Sequence, residues 1–419
     1  MTGSWFNTSD ALIQLAFWLI VAFVTYTYLG YPALVGLMAL IRPRPVRMAQ
    51  SQQDCDAAVP LPTVSVVLAV HNEERTIGLR LKELVEQIAR HDLSGEVIVV
   101  SDGSTDRTIE VTRAYTQEDG LVPVRMIALS KNVGKAAALT AGCQAARSEI
   151  IAMADARQTW SSDALPRLLE NFNDEEVGAV SGELVVESEP GVMASVGLYW
   201  RYEKWLRRRE ALVHSSVGLT GAICAVRREL FRPIPVGTLL DDVYWPLQVA
   251  MQGYRVVFDT RARAFDRLPA RVSAEFRRKV RTLSGNFQLL VRLPDALLPW
   301  RNPVWVALVS HKLARLAIPW AWLAALGLSA IAGGSIYSLL FVAQLAVTMV
   351  GLAGLCPAVA RRSRVVSAAG SLLILNVAAA CSLLVWLSGR ASRTWTKTMY
   401  HPPTNPRQQL ATSFAGAGQ

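Results

Sequence analysis

The sequence predicts an α/β domain with a Rossmann-like, mostly parallel sheet, joined to α-helical transmembrane segments. Three observations carry that expectation. The hydrophobic residues, 52% of the 419, cluster at 11–41 and 303–388, whereas 45–300 has the mixed composition of a globular domain. Within 63–153, short β-branched runs alternate with amphipathic stretches, the pattern of a parallel sheet with helical crossovers. Acidic residues follow several of those runs, where open α/β sheets bind their ligands.

The elements follow in order. Residues 63–70 (TVSVVLAV) are β-branched and almost uniformly apolar, as a strand buried on both faces requires. A helix is expected over 74–90, a strand at 96–100 (EVIVV), a helix over 106–118, a strand at 125–129, a helix over 134–146 and a strand at 150–153. Beyond 155 the alternation loosens. We expect helices at 162–171 and 192–213, antiparallel pairing at 177–186, acidic residues opening a helix within 237–252, a strand at 254–258 and a basic amphipathic helix over 274–290.

A bilayer core takes about 20 apolar residues to cross. Segment 11–41 is long enough, and Pro32 should kink it. The first ten residues hold no Lys or Arg, so the basic region of a cleavable signal is missing, and the segment reads as a retained anchor. Arg42, Arg44 and Arg47 would mark its inner end. An interfacial helix at 302–313, with His311 and Lys312, and spans at about 314–333, 336–358 and 365–388 complete the membrane region. This count puts Arg361, Arg362 and Arg364 inside but Arg390, Arg393 and Lys397 outside, against the positive-inside rule. The expected organisation is an anchor at 1–42, a linker at 43–62, the α/β domain at 63–298, membrane helices at 299–390 and a polar tail at 391–419. The formal charge of +10 falls largely beside apolar segments, which favours lipid head groups or a diphosphate over nucleic acid. Five cysteines without C-x-x-C spacing exclude a disulfide framework or zinc site. His71, His214 and His311 show no ligand spacing and read as structural or interfacial.

Asn72 and Glu73, Asp102, and Asp155 each follow a strand. Any one of them could simply cap the next helix, but three strand ends together suggest a shared crevice. Asp102 is placed to accept hydrogen bonds from a base or ribose, with Gly103 allowing close approach. Lys131-Asn132-Val133-Gly134-Lys135 precedes a helix start, whose free N–H groups and dipole attract phosphate, and Lys135 adds a charge. Asp241 and Asp242 open a helix. In a partly closed site such neighbours raise each other's pKa, so one can act as a base near neutral pH. Thr220 and Gly221 would line an acceptor channel. The cluster Arg277–Arg281 would neutralise a leaving diphosphate or bind lipid head groups.

Taken in order, VVLAVHNEE, VVSDGSTD, KNVGK, ADA, TGA, LDD and a basic R-x-x-R resemble glycosyltransferase family 2 of GT-A fold. The layout is similar to membrane synthases of exopolysaccharide, hyaluronan, chitin oligomers and poly-N-acetylglucosamine. The resemblance implies an inverting transferase at the cell membrane, multi-pass, with a cytosolic catalytic domain. It implies a nucleotide-diphosphate sugar donor, UDP-linked by preference, a glycan or lipid-linked acceptor, polysaccharide-export partners and a divalent metal, Mg2+ or Mn2+. Asp102 would contact the nucleotide. Asp155 would be the first acid of the D-x-D element, handling diphosphate and metal. Asp242 would be the base, and Arg278-x-x-Arg281 would stand where processive members have Q-x-x-R-W. Two departures matter. Arg157 replaces the second D-x-D acid, weakening tight metal binding, and Thr282 replaces the tryptophan, which makes single transfer to a lipid acceptor a rival to processive synthesis. A dinucleotide oxidoreductase would need a G-x-G-x-x-G turn where 70–74 read VHNEE. A transporter or scaffold would need polar or ionisable residues lining a pathway at mid-membrane depth, and the last two spans show little beyond Gln344 and Asn376.

Overall fold

The computed structural model describes residues 3–47, 60–116, 120, 122–187, 194–267, 272–360 and 362–391. Most of the expected linker, with Cys55, as well as Arg361, Arg393, Lys397 and nearly all of the polar tail lie outside the described residues.

The N-terminal segment forms α1 (Gly3–Thr25), a π-helical turn (Tyr26–Gly30) and α2 (Tyr31–Ile41). The π-turn stands directly before Pro32. Proline lacks the N–H that would bond four residues back, and its ring clashes there, so the ladder adjusts at this point.

The α/β domain follows. Its strands are β1 (Val64–Val70), β2 (Gly95–Asp102), β3 (Val124–Leu129), β4 (Ile150–Ala154), β5 (Thr159–Trp160), β6 (Val177–Glu187), β7 (Ile223–Arg227) and β8 (Arg255–Arg267). Its helices are α3 (Ile77–Arg90), α4 (Thr108–Thr116), α5 (Lys135–Ala145), α6 (Ala164–Glu170), α7 (Ala194–Val213), α8 (Asp241–Met251) and α9 (Val272–Arg292). The sheet order is β3-β2-β1-β4-β7-β6-β8-β5. The first four strands are parallel. β7 runs antiparallel to both β4 and β6, β8 is parallel to β6, and β5 is antiparallel to β8.

Alternate residues of β1 feed two cores. Val67 packs on one face with Ile98, Val100 and Leu139, against α5 and α8. Val64, Val66 and Leu68 pack on the other with Ile77, Leu81 and Leu84 of α3. Each such side chain contributes about 1.5–3 kcal/mol by leaving water. Two strands were not anticipated, β5 and β7, and β8 runs well past 258. The reason for the latter is readable in hindsight. Residues 259–267 (DTRARAFDR) alternate charged side chains with Ala262 and Ala264, which are fully buried.

The C-terminal region contains α10 (Trp305–Ala307), a second π-turn (Leu308–Leu313), α11 (Ala314–Ile331), α12 (Ser335–Ala353), α13 (Pro357–Ala360) and α14 (Arg364–Leu387). The separate interfacial helix expected at 302–313 is a correction. It continues without a break into the next span, giving one helix of 27 residues, Trp305–Ile331. Four described helices are long and apolar enough to cross a membrane. Gly333 and Gly334, with φ of +64° and +90°, make the expected turn. Gln344 donates to Ser329 Oγ (3.1 Å) and Asn376 to Tyr28 Oη (3.4 Å), so the polar groups of the bundle pair helix to helix. The α/β domain sits on the bundle through α9, where Ser284 Oγ donates to the Ser382 carbonyl at 3.0 Å and Phe287 stacks on Trp386.

Candidate active site

β2, β1 and β4 are neighbours and end at the same edge of the sheet. The segments after them therefore meet. Asn72 takes a positive φ of +54°, and its Oδ1 accepts from the Thr105 N–H at 2.8 Å, tying the β1 loop to the β2 loop. Glu73 Oε2 accepts from Thr76 Oγ1 at 2.8 Å. His71 Nδ1 lies 2.7 Å from the Asp102 carbonyl oxygen.

Asp102 is 1% exposed. Its Oδ1 accepts from the Val133 N–H (2.7 Å) and its Oδ2 from the Gly134 N–H (2.9 Å). Gly103, at φ +62°, passes so near Lys131 and Asn132 that a Cβ would collide with their backbone. Both oxygens help hold the loop that delivers Lys135, because the partly buried N–H groups before α5 need acceptors. Asp102→Ala should cost about 2–4 kcal/mol of stability, since two charge-assisted bonds are lost and two partly buried donors lose their acceptor. It should also weaken nucleoside diphosphate binding through the loosened loop. Thermal unfolding and titration with UDP and GDP measure the two effects.

Lys135 is the first residue of α5, and its Nζ donates to Asp155 Oδ1 at 2.6 Å. Burial alone would lower its pKa, but the carboxylates of Asp155, Asp241 and Asp242 hold it well above the ordinary lysine value. Gly221 borders this ammonium, and a Cβ there would stand 3.3 Å from Nζ. The Thr220–Gly221 loop is pinned by the Thr220 N–H donating to Ser181 Oγ (3.1 Å). It is also pinned by the Leu219 N–H donating to the Asp242 carbonyl (2.9 Å).

Asp241 and Asp242 open α8. Burial and the Asp241 carboxylate push Asp242 up to about 6, against the pull of Arg207, Lys135 and Lys312. Arg281, on α9, faces both acids. Burial holds its guanidinium below the usual arginine value while Asp241 and Asp242 raise it. Arg278 lies one turn earlier on the same helix, partly buried. Lys135, Asp155, Asp241, Asp242 and Arg281 are therefore one electrostatic group, and Asp102 holds the loop that leads into Lys135.

Arg157 turns away from this group. Its Nη2 and Nε bond Asp266 of β8 at 2.8 and 3.2 Å, and Gln158 Nε2 joins the same carboxylate at 3.0 Å. Among the described residues no group of three or more His, Cys, Asp or Glu is arranged to hold a metal. Mg2+-type ions commonly take one or two carboxylates plus substrate phosphates. Asp155, already facing a cation, fits that single-carboxylate role for an ion arriving with a diphosphate. A protein-built cage does not fit. The residues that sequence reading missed are Asp266, Arg207 and Lys312. For Asp266 alone a signal existed, the alternation of 259–267.

The parallel half-sheet with its mixed extension is the layout of a GT-A fold, and the lysine-bridged acids stand at its carboxyl edge. Residues 65–234 match the model of glycosyl transferase family 2. Poly-beta-1,6-N-acetyl-D-glucosamine synthase of Staphylococcus aureus is 22% identical over 267 residues, covering 62% of this chain and 63% of that protein. The chain thus spans less than two thirds of that relative's length. Undecaprenyl-phosphate 4-deoxy-4-formamido-L-arabinose transferase of Pseudomonas aeruginosa is 32% identical over 126 residues, 30% of this chain and 37% of that protein. A mannosyltransferase of Pyrobaculum calidifontis, solved with GDP-mannose and Mn2+, superposes with a TM-score of 0.65 at 22% identity. The superposition covers 90% of this chain and 99% of that one, a likeness of fold.

Proposed function

We propose that the protein transfers one sugar from a nucleotide-diphosphate sugar, UDP-linked by preference, to a hydroxyl of a glycan or lipid-linked acceptor. The reaction takes place at the cytosolic face of a membrane and inverts the anomeric configuration. The observation that supports this reading best is Asp242. It is a carboxylate raised to about 6 at the start of α8, next to Asp241 and in the same group as the Lys135–Asp155 pair.

In this reading Asp242 takes the proton of the acceptor hydroxyl as its oxygen attacks the anomeric carbon. The bond from that carbon to the diphosphate oxygen breaks on the opposite face, and the nucleoside diphosphate leaves with the bonding pair. Lys135 and Arg281 offset the charge that grows on the leaving group. Asn72 and Glu73 shape the nucleotide pocket, and Arg278 extends the cationic wall. Thr220, Gly221 and Asp241 border the acceptor. A divalent cation, held by Asp155 together with the diphosphate, would add Lewis-acid neutralisation there.

Removal of divalent ions with EDTA should lower transfer at least about tenfold. Mn2+ or Mg2+ should restore it, and Asp155→Ala should abolish the restoration. The reading as a whole is tested with the full chain in lipid against a panel of UDP-, GDP- and dTDP-sugars. Nucleotide release together with product sizing is the readout. No release from any donor with glycan and polyprenyl-phosphate acceptors would sink it. The exposed Thr282, where a sugar-stacking tryptophan is missing, favours short products over long chains.

A further inference from the structure

The loop that follows Asp155 leaves from one turn and returns to it. Ala154, the last residue of β4, pairs with Ile223 of β7. At the far end of the loop Trp160, in β5, donates from its indole Nε1 to the Ala222 carbonyl at 2.9 Å. The turn itself is closed by the Ile223 N–H donating to the Thr220 carbonyl at 3.2 Å. Its Gly221 borders Lys135 Nζ, and Lys135 bonds Asp155 at 2.6 Å. A closed circuit of contacts thus runs from Asp155 through Lys135, Gly221 and Ala222 to Trp160. It joins the acid and the lysine to the turn at 220–222.

Trp160 is braced from another side. It is 6% exposed, and the guanidinium of Arg80, on α3, lies over its ring at 4.7 Å from the centre. Arg80 is buried as well. Its Nη1 donates to Glu83 Oε1 at 2.6 Å, and the same oxygen accepts the Trp160 N–H at 2.6 Å. Among the described residues Arg80 Nε and Nη2 make no hydrogen bond, so the guanidinium acts through its face and its charge rather than its fork of donors. A buried ion pair is often no more stabilising than apolar packing of the same volume. What Arg80 and Glu83 add is direction. A planar cation on the ring and a bond to the backbone N–H together set the plane of the indole and aim its Nε1 at Ala222.

We propose that Trp160, braced by Arg80 and Glu83, is a positioning residue that sets the acceptor turn against the Asp155–Lys135 pair. The inference rests on the reading of Thr220 and Gly221 as the border of the acceptor. Losing the indole N–H leaves the bond between Lys135 and Asp155 in place, so the diphosphate side keeps its charges. The turn is then held at Thr220 by Ser181 and at Ile223 by Ala154, but no longer by Trp160 at Ala222. The acceptor hydroxyl is less well placed for attack, and water competes better. The water oxygen then bonds the anomeric carbon, the nucleoside diphosphate leaves with the bonding pair, Asp242 takes the proton and free sugar is the product.

The experiment uses the full chain in lipid with UDP-N-acetylglucosamine and an N-acetylglucosamine oligomer or polyprenyl phosphate, or the panel donor and acceptor that turn over. Trp160→Phe keeps the ring and loses the N–H. It should raise the acceptor KM about tenfold and raise the share of nucleotide release that yields free sugar. Affinity for UDP and GDP should stay within about twofold of wild type. Arg80→Met should raise the acceptor KM about threefold, and the double variant should match Trp160→Phe alone, because both act through one bond. Glu83→Gln, which keeps an oxygen for the Trp160 N–H, should leave the acceptor KM near wild type. If Trp160→Phe does not fold, Arg80→Met carries the test by the same readouts. An unchanged acceptor KM in the folded variants, a fall in UDP and GDP affinity in step with it, or additive effects in the double variant overturn the inference. A wild-type protein that releases nucleotide from no donor overturns the proposed function itself, and the inference with it.

Discussion

Asp242→Asn should lower kcat by about 10²–10⁴-fold, the usual worth of a positioned general base, while nucleoside diphosphate still binds with near-wild-type affinity. The amide is nearly isosteric and leaves the Leu219 N–H bond to the 242 carbonyl untouched. What it removes is the ability to accept a proton. In the wild type, kcat/KM should rise with pH and level off above about 6, where Asp242 is ionised. The same raised value fixes the sign of a stability effect. The folded state binds the Asp242 proton more tightly than the unfolded chain does. Stability contributed by this group is therefore present at acid pH and falls as pH rises from about 4 through about 6. At pH 7 the Asn variant should then be no less stable than wild type, so lost turnover cannot be put down to unfolding. Single-turnover assays, UDP and GDP titration and thermal melting at pH 5 and 7 check the three parts. Normal turnover by Asp242→Asn would remove Asp242 as the base.

Lys135→Met should have the second largest effect, a fall in kcat/KM of about 10²–10³-fold, comparable to deleting one preorganised donor to a developing negative charge. Lys135 bridges the two functional ends of the group, bonding Asp155 and facing Asp241 and Asp242. Its loss leaves three carboxylates with less compensation, so it should raise the acid limb assigned to Asp242 as well as weaken diphosphate binding. The double variant Lys135→Met with Asp155→Asn should recover part of the binding loss, because removing the second charge relieves the first. A purely structural role for Lys135 would give the double variant additive losses.

Much of the α/β half was legible because its rules are local. β1, β2 and β4 announce themselves as short β-branched runs, and parallel strands buried on both faces have no other composition available. The acids after them had to share an edge once the strands were adjacent. The antiparallel half was less legible. β7 is five residues long, and β5 is two. Each is fixed by its partner across the sheet rather than by its own pattern, as strand preference is mostly a matter of packing context. The helix from Trp305 to Ile331 was split in the sequence reading because His311 and Lys312 look like an end. In the fold both side chains are met by Glu203 and Glu210 from over a hundred positions away, so the helix runs on.

The sequence by itself determined the class of fold, the membrane helices and the identity of Asp155, Asp241 and Asp242 as the acids to watch, since periodicity and residue chemistry are properties of neighbours in the chain. Only the tertiary structure decided which partners the site residues meet. It gave Asp102 the Val133 and Gly134 N–H groups, turned Arg157 toward Asp266 and set Lys135 against Asp155. Partners in a hydrogen bond or ion pair are chosen by proximity in space, and for these pairs that proximity is made by packing across the sheet.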